Sequence, residues 1–80
     1  MNINTHTFMR HHAPTTIVSV DGKDVGHFVE RTDRLRNGTP LRVYVTRMGL
    51  PGNACPAVEI HTRDAAVAWI AREAREEHRI

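Results

Sequence analysis

The chain has 80 residues, of which 40% are hydrophobic and 25% charged, and its formal net charge is +2. This composition is typical of a globular domain and excludes collagen-like, fibrous and extensively disordered chains. Cys55 is the single cysteine, so an internal disulfide and a cysteine-rich zinc site are excluded as well. Residues 1–80 are predicted to form a single domain with one modest core.

The sequence predicts neither a membrane span nor a secretion signal. Its longest uncharged apolar run, residues 65–71, is far shorter than the roughly 20 residues that cross a bilayer. Residues 1–12 are polar and lack the apolar segment of a secretory signal. We therefore expect a cytoplasmic protein.

Two strands joined by a tight turn are predicted first. Residues 15–20 (TTIVSV) are mostly β-branched, and Asp21-Gly22 is a strong signal for a two-residue hairpin turn, so residues 25–32 form the second strand. Hairpin parity then predicts a core face that consists of Val18, Val20, Val25, His27 and Val29.

Residues 1–14 are expected to be either flexible or a flanking strand. The face opposite the predicted core carries Ile17 and Phe28, which are large and apolar. Either residues 3–9 lie over these two side chains as a flanking strand, which we favour, or the two form an exposed patch for a partner protein.

Residues 41–47 (LRVYVTR) alternate most regularly, with Leu41, Val43 and Val45 predicted inward. The outward positions are Arg42, Tyr44 and Thr46. A two-residue turn at Asn37-Gly38 would place the valines on the wrong face, so a bulge or a longer loop is required.

A short strand and a helix are predicted to end the chain. Residues 57–61 form the strand, with Val58 and Ile60 inward, and Thr62 caps a helix over residues 63–78. The apolar stripe of this helix is Val67, Ile70, Ala71 and Ala74. Trp69 lies outside the stripe, so either the buried face is broader and includes Ala66 and Trp69, which we favour, or Trp69 is a rim anchor.

The predicted fold is therefore α+β, with element order β-β-β-β-α: an antiparallel sheet of three to four strands with one C-terminal helix packed on one face.

No catalytic centre is predicted. The six histidines and Cys55 do not follow the paired spacings of a zinc site, and no phosphate-binding loop or dinucleotide motif is present. Cys55 lies in a loop with no predicted helix N-terminus behind it to lower its pKa. We expect a protein that is not an enzyme and that has no metal and no cofactor.

The basic segment over residues 31–47 is the most suggestive feature, because guanidinium groups beside an aromatic ring suit contact with phosphates and bases. Its candidate binding residues are Arg31, Arg34, Arg36, Arg42, Tyr44, Thr46 and Arg47. The alternative interpretation is an ordinary solubilising surface.

Residues 60–70 (IHTRDAAVAWI) resemble the strand-to-helix junction of the arm-type DNA-binding domain of phage-like tyrosine integrases, with Thr62, Ala66 and Trp69 at matching positions. That resemblance implies a three-stranded sheet on a C-terminal helix, with a sheet that enters the major groove through Arg42, Tyr44 and Thr46 if their strand is equivalent. In size and style the chain also resembles small orphan proteins of phages and mobile elements, some of which inhibit CRISPR effectors.

Two functions follow as hypotheses. The first is a non-enzymatic module whose Arg-rich sheet face engages nucleic acid, or the nucleic-acid-binding surface of a protein complex. The alternative is an inhibitor of the anti-CRISPR kind, which would contact a host complex through a patch of Ile17, Phe28 and Trp69.

Overall fold

A computed structural model describes residues 2–52 and 55–77, the last without its side chain. Five strands and one helix make up the fold. Their bounds are β1 Ile3–Arg10, β2 Ala13–Val20, β3 Lys23–Arg34, β4 Pro40–Met48, β5 Val58–Ile60 and α1 Arg63–Glu77. The strands form one antiparallel sheet in which spatial order equals chain order, and α1 packs across one face.

The predicted α+β class, with an antiparallel sheet and one C-terminal helix, is confirmed, but three to four strands is too low a number. The additional strand is β1, which pairs with β2 from Ile3↔Val20 to Arg10↔Ala13. His11 and His12 form the intervening turn in the left-handed region, at φ 52° and 63°. No glycine, asparagine or proline marks this turn, so ordinary turn signals miss it.

The predicted core face is correct for Val18, which is buried in the core, but wrong for His27 and Val29 of β3, because a register shift beside Val18 and Ser19 changes how β3 is matched to β2. Val18 lies opposite Gly26 rather than opposite a residue of the valine face. It therefore shares a face with Phe28, while His27 and Val29 point to the other side of the sheet. A bulge inserts one extra residue and reverses the facing of everything beyond it.

In β4 the alternation is as predicted, but the helix packs on the opposite face. The loop of residues 35–39 is longer than two residues, as the parity argument required, and it pairs Val29 with Val45. Tyr44 and Thr46, predicted to face outward, are 8% and 0% exposed. Leu41, Val43 and Val45 lie on the face that α1 does not cover.

Aromatic packing accounts for the choice of face. Phe28 and Tyr44 meet edge to face with ring centroids 5.5 Å apart, and they form the core with Val18, Ala66 and Ile70. Two adjacent rings offer more apolar area to a helix than a row of valines does. The proposed cover of Phe28 by residues 3–9 is therefore replaced by α1.

The N-cap and the buried face of α1 agree with the sequence pattern. The Thr62 hydroxyl accepts a hydrogen bond from the Ala65 backbone N–H at 3.2 Å, which confirms the N-cap. Ala66, Ile70, Ala71 and Ala74 are buried, and Trp69 is half-buried against the core, so the broader buried face is confirmed. His78, the predicted last helical residue, lies outside the described residues.

Gly26 lies directly against the helix residue Ile70. A Cβ at this position would lie 2.7 Å from Ile70 Cγ2 and 3.0 Å from the Arg47 carbonyl oxygen. Contacts this short force either the side chain or the backbone to move. The absence of a side chain at residue 26 is therefore a packing requirement rather than a turn requirement.

We expect Gly26→Ala to lower the free energy of unfolding by about 1–3 kcal/mol through overpacking. Ile70→Ala alone should cost about 2–5 kcal/mol because it leaves a cavity. Since the first change fills part of the space that the second opens, the double variant should be more stable than the sum of the two costs predicts. Urea unfolding of the four proteins measures this coupling, and strict additivity would contradict the proposed contact.

Candidate functional site

The basic segment forms a two-stranded ribbon at one end of the sheet. β2 pairs with β3 only as far as Thr15↔Val29, and β5 pairs with β4 only as far as Tyr44↔Ile60. Beyond these pairs, residues 31–34 and 40–43 have strand partners only in each other among the described residues, and they continue into the loop of residues 35–39. We call residues 31–43 the β3–β4 ribbon. It carries Arg31, Arg34, Arg36 and Arg42.

Arg31 is held by two carboxylates on the sheet face that α1 leaves open. Its Nε lies 2.9 Å from Asp33 Oδ1, and its Nη2 lies 2.7 Å from Glu59 Oε1 on the far side of β4. The side-chain hydrogen bond with Asp33, followed by that with Glu59, raises the pKa of Arg31 above its ordinary value. The guanidinium is therefore charged at every working pH, but much of that charge is compensated locally.

The remaining ribbon arginines differ in whether an acidic side chain neutralises their positive charge. Arg42 forms an ion pair with Glu30, with Nε and Oε1 2.8 Å apart, on the face that α1 packs against. Arg34 donates a hydrogen bond to the Gly38 carbonyl at 3.3 Å, and none of the described acidic side chains forms an ion pair with it. Arg36 is exposed in the loop and has no ion pair with any described residue. The uncompensated charge is thus concentrated at the ribbon tip.

Three of the predicted site residues are separated from this ribbon. Tyr44 and Thr46 are buried between the sheet and α1, so the prediction that they project outward beside Arg42 is wrong. Arg47 is half-buried near the other end of β4, opposite His27 and on the open face. The strand alternation was correct, but which face α1 would cover depends on packing between distant segments.

The alternative patch of Ile17, Phe28 and Trp69 is not a continuous surface. Phe28 is 2% exposed beneath the helix. Ile17 lies opposite His27 on the other side of the sheet, and Trp69 is half-buried on α1. The bulge after Val18 is the cause, because it places Ile17 and Phe28 on different faces.

A second basic element, which the sequence pattern did not predict, lies at the same end of the sheet. β1 and β3 run in the same direction, so the β1–β2 turn lies at the same end as the ribbon tip. Arg10 and the left-handed His11-His12 turn are exposed there. The signal that could have found them is the alternation of residues 3–9, which is weak because polar residues occupy its four central positions, 4–7.

The histidines are not gathered around a metal. Among the described residues, no group of three or more histidine, cysteine or acidic side chains is placed to hold an ion. His27 is 3% exposed, and its Nδ1 donates a hydrogen bond to the Gly49 carbonyl oxygen at 2.8 Å. His27 therefore anchors the loop after β4, which is the structural role expected of a buried histidine.

Cys55 lies in a pocket at the end of the sheet away from the ribbon tip. The pocket has a volume of about 290 Å³ and is also lined by Asp24, Met48 and Ala74. No histidine is among the described residues that line it. The described lining therefore brings no imidazole to the thiol.

We expect His27→Ala to lower the free energy of unfolding by about 1–3 kcal/mol, because the Gly49 carbonyl loses its buried donor. His61→Ala is the matched control, since His61 is exposed and its loss should stay within about 0.5 kcal/mol. Urea unfolding followed by Trp69 fluorescence measures both. Equal effects would show that the bond to Gly49 contributes nothing.

The described part of the chain has no helix that is both long and apolar enough to cross a membrane. Comparisons with known protein families, curated proteins and solved structures found no match. The similarity of residues 60–70 to the integrase arm-type domain therefore stays a prediction. Any functional proposal has to be made from the geometry of the site itself.

Proposed function

We propose that this protein is a non-enzymatic cytoplasmic module that binds duplex nucleic acid, with the β3–β4 ribbon inserted in a groove. The observation that supports the proposal best is the projection of the ribbon beyond the five-stranded body, with Arg34 and Arg36 at its tip. A two-stranded ribbon fits the major groove of B-form DNA, which is about 12 Å wide.

The distribution of charge along the sheet also favours the ribbon end of the sheet as the contact surface. The ribbon tip and the β1–β2 turn bring together Arg10, Arg34 and Arg36, none of which has an acidic partner among the described residues. The opposite end carries Asp21 and Asp24 beside Lys23. A polyanion is therefore attracted to one end, and phosphate contacts there would set the orientation of the ribbon.

Leu35 adds an apolar contact to this surface. It is 48% exposed at the ribbon tip, between the two uncompensated arginines. Apolar side chains on DNA-binding ribbons pack against thymine methyl groups or between base steps. The proposed mode of binding is thus phosphate neutralisation by the arginines, with base contact by Leu35.

Binding should weaken steeply with salt. If Arg10, Arg34 and Arg36 neutralise about three phosphates, affinity for a DNA duplex should fall roughly 40-fold between 50 and 200 mM salt. Arg36→Ala should reduce the slope of log K against log salt by about 1. Gel shift or fluorescence anisotropy across a salt series, with duplex DNA, duplex RNA and single strands, measures this. Absence of binding at low salt would overturn the proposal and favour contact with a protein complex instead.

Glu30→Gln should strengthen binding, because it releases Arg42 from its ion pair and adds one net positive charge at the ribbon base. Glu76→Gln is the matched control: it changes net charge equally but lies in the last turns of α1. We expect a gain of several-fold for the first variant and little change for the second. If both variants gain equally, overall charge rather than the ribbon determines binding.

A further inference from the structure

The outer edge of β1 is a long strand edge that pairs with no described residue. β1 is the first strand of the sheet, it pairs with β2 over eight residues without a bulge, and its side chains are mostly exposed. Residues 3–9 (INTHTFM) contain no proline, lysine or acidic residue. Such residues, along with bulges and short strand length, are the usual means by which an edge strand avoids pairing with another chain.

The other edge of the sheet is protected in the ordinary way. β5 has three residues, and its central one is Glu59. A short edge strand with a charged side chain offers little to a further strand. Pairing through the sheet edge is therefore favoured at β1 alone.

The hydrogen bonds at the start of β1 establish which backbone groups point outward. The Asp21 N–H donates to the Asn2 carbonyl oxygen at 2.7 Å, so these opposing residues form a hydrogen-bonded pair. Hydrogen-bonded and non-hydrogen-bonded pairs alternate along an antiparallel ladder. The backbone groups of Asn4, His6 and Phe8 therefore face β2. The groups that face outward belong to Ile3, Thr5, Thr7 and Met9.

We propose that β1 pairs antiparallel with β1 of a second copy of this chain, in the register that places His6 on the two-fold axis. Thr5 then lies opposite Thr7 of the second copy, and Ile3 opposite Met9 of the second copy. All four outward-facing residues become hydrogen-bonded pairs, with about two bonds for each of four pairs. This interaction goes beyond nucleic-acid binding and does not depend on it.

Side-chain complementarity is what selects a second copy as the occupant. Ile3 and Met9 are 42% and 67% exposed, and both lie on the face that α1 packs against. They are equally far from His6, so a two-fold axis at His6 brings each against the other type in the second copy. The exposed apolar side chains of the strand are then buried in pairs, as cross-strand neighbours. The two sheets join into one continuous sheet with both helices on the same face.

The register is tested by cross-linking in a Cys55→Ser background. In a non-hydrogen-bonded antiparallel pair the Cα atoms are about 4.5 Å apart, which a disulfide can span. His6→Cys should therefore give a covalent dimer under mild oxidation. Asn4→Cys is the matched control, on the same strand and face. Its two copies would be about 14 Å apart at 3.4 Å per residue, so it should not cross-link at a comparable rate.

Association itself is measured by sedimentation velocity of the full chain over a wide concentration range. We expect a reversible dimer that Thr5→Pro weakens about tenfold or more, since it removes an outward-facing N–H. Ile3→Lys combined with Met9→Lys should also give monomers, whereas Ile3→Lys combined with Met9→Glu should restore the dimer. Circular dichroism confirms that each variant is folded.

Two results would overturn the proposal. One is a monomer at all concentrations, which would leave β1 as an edge for a strand of a different protein or for none. The other is a dimer in which His6→Cys and Asn4→Cys cross-link equally, because such a dimer uses another surface.

Discussion

The contact of Ile70 with Gly26 is the constraint on which the remaining structure depends. A helix can approach a sheet closely where a strand residue has no side chain, and here Ile70 of α1 lies directly against Gly26, in a core that also contains Phe28, Tyr44 and Ala66. Once this face is covered, alternation assigns the strand residues to the core or to the open side, except at the bulge beside Val18 and Ser19. The facing of Arg31 and Arg42, on opposite sides of the β3–β4 ribbon, follows from it.

The open face is sheltered without a second layer. Val43 is 1% exposed although no helix covers it. The side chain of Arg31, directly opposite Val43 in the register, crosses β4 to reach Glu59. A long side chain can cover apolar surface with its methylene groups while its charged end stays in water. Arg31 thus stabilises the fold, whether or not it also contacts a ligand.

Because some arginines are already held in ion pairs, the ribbon arginines differ in their availability for binding. Arg31 and Arg42 are engaged with Asp33, Glu59 and Glu30, and those carboxylates compete with any phosphate. Arg34 is in the last pair of the ribbon, opposite Pro40, and Arg36 lies in the loop beyond it. Neither forms an ion pair with a described acidic side chain. β3 and β4 extend beyond the strands that flank them. This extension also separates the ribbon tip from the carboxylates of Glu30 and Glu59.

Short-range sequence patterns alone predicted much of the secondary structure of this protein. Turn residues at Asp21-Gly22, the alternation of residues 41–47, the Thr62 cap and the alanine-rich helix each act over a few residues, and each predicted its element correctly. The α+β class and the basic segment follow from the same short-range rules. A tight turn at His11-His12 escaped them because it uses a conformation that its residues adopt infrequently.

Tertiary structure decided which side of the sheet is inside, and with it the composition of the candidate site. Tyr44 and Thr46 left that site because α1 packed on the two aromatic rings. Ile17 separated from Phe28 because the bulge, which adds Val25 to β3, changed the facing of β3 relative to β2. Arg10 joined it because the meander brings the first turn to the end of the ribbon. Each outcome depends on contacts between residues far apart in the chain. The local pattern allows either face of the sheet to be buried, and only packing distinguishes the two.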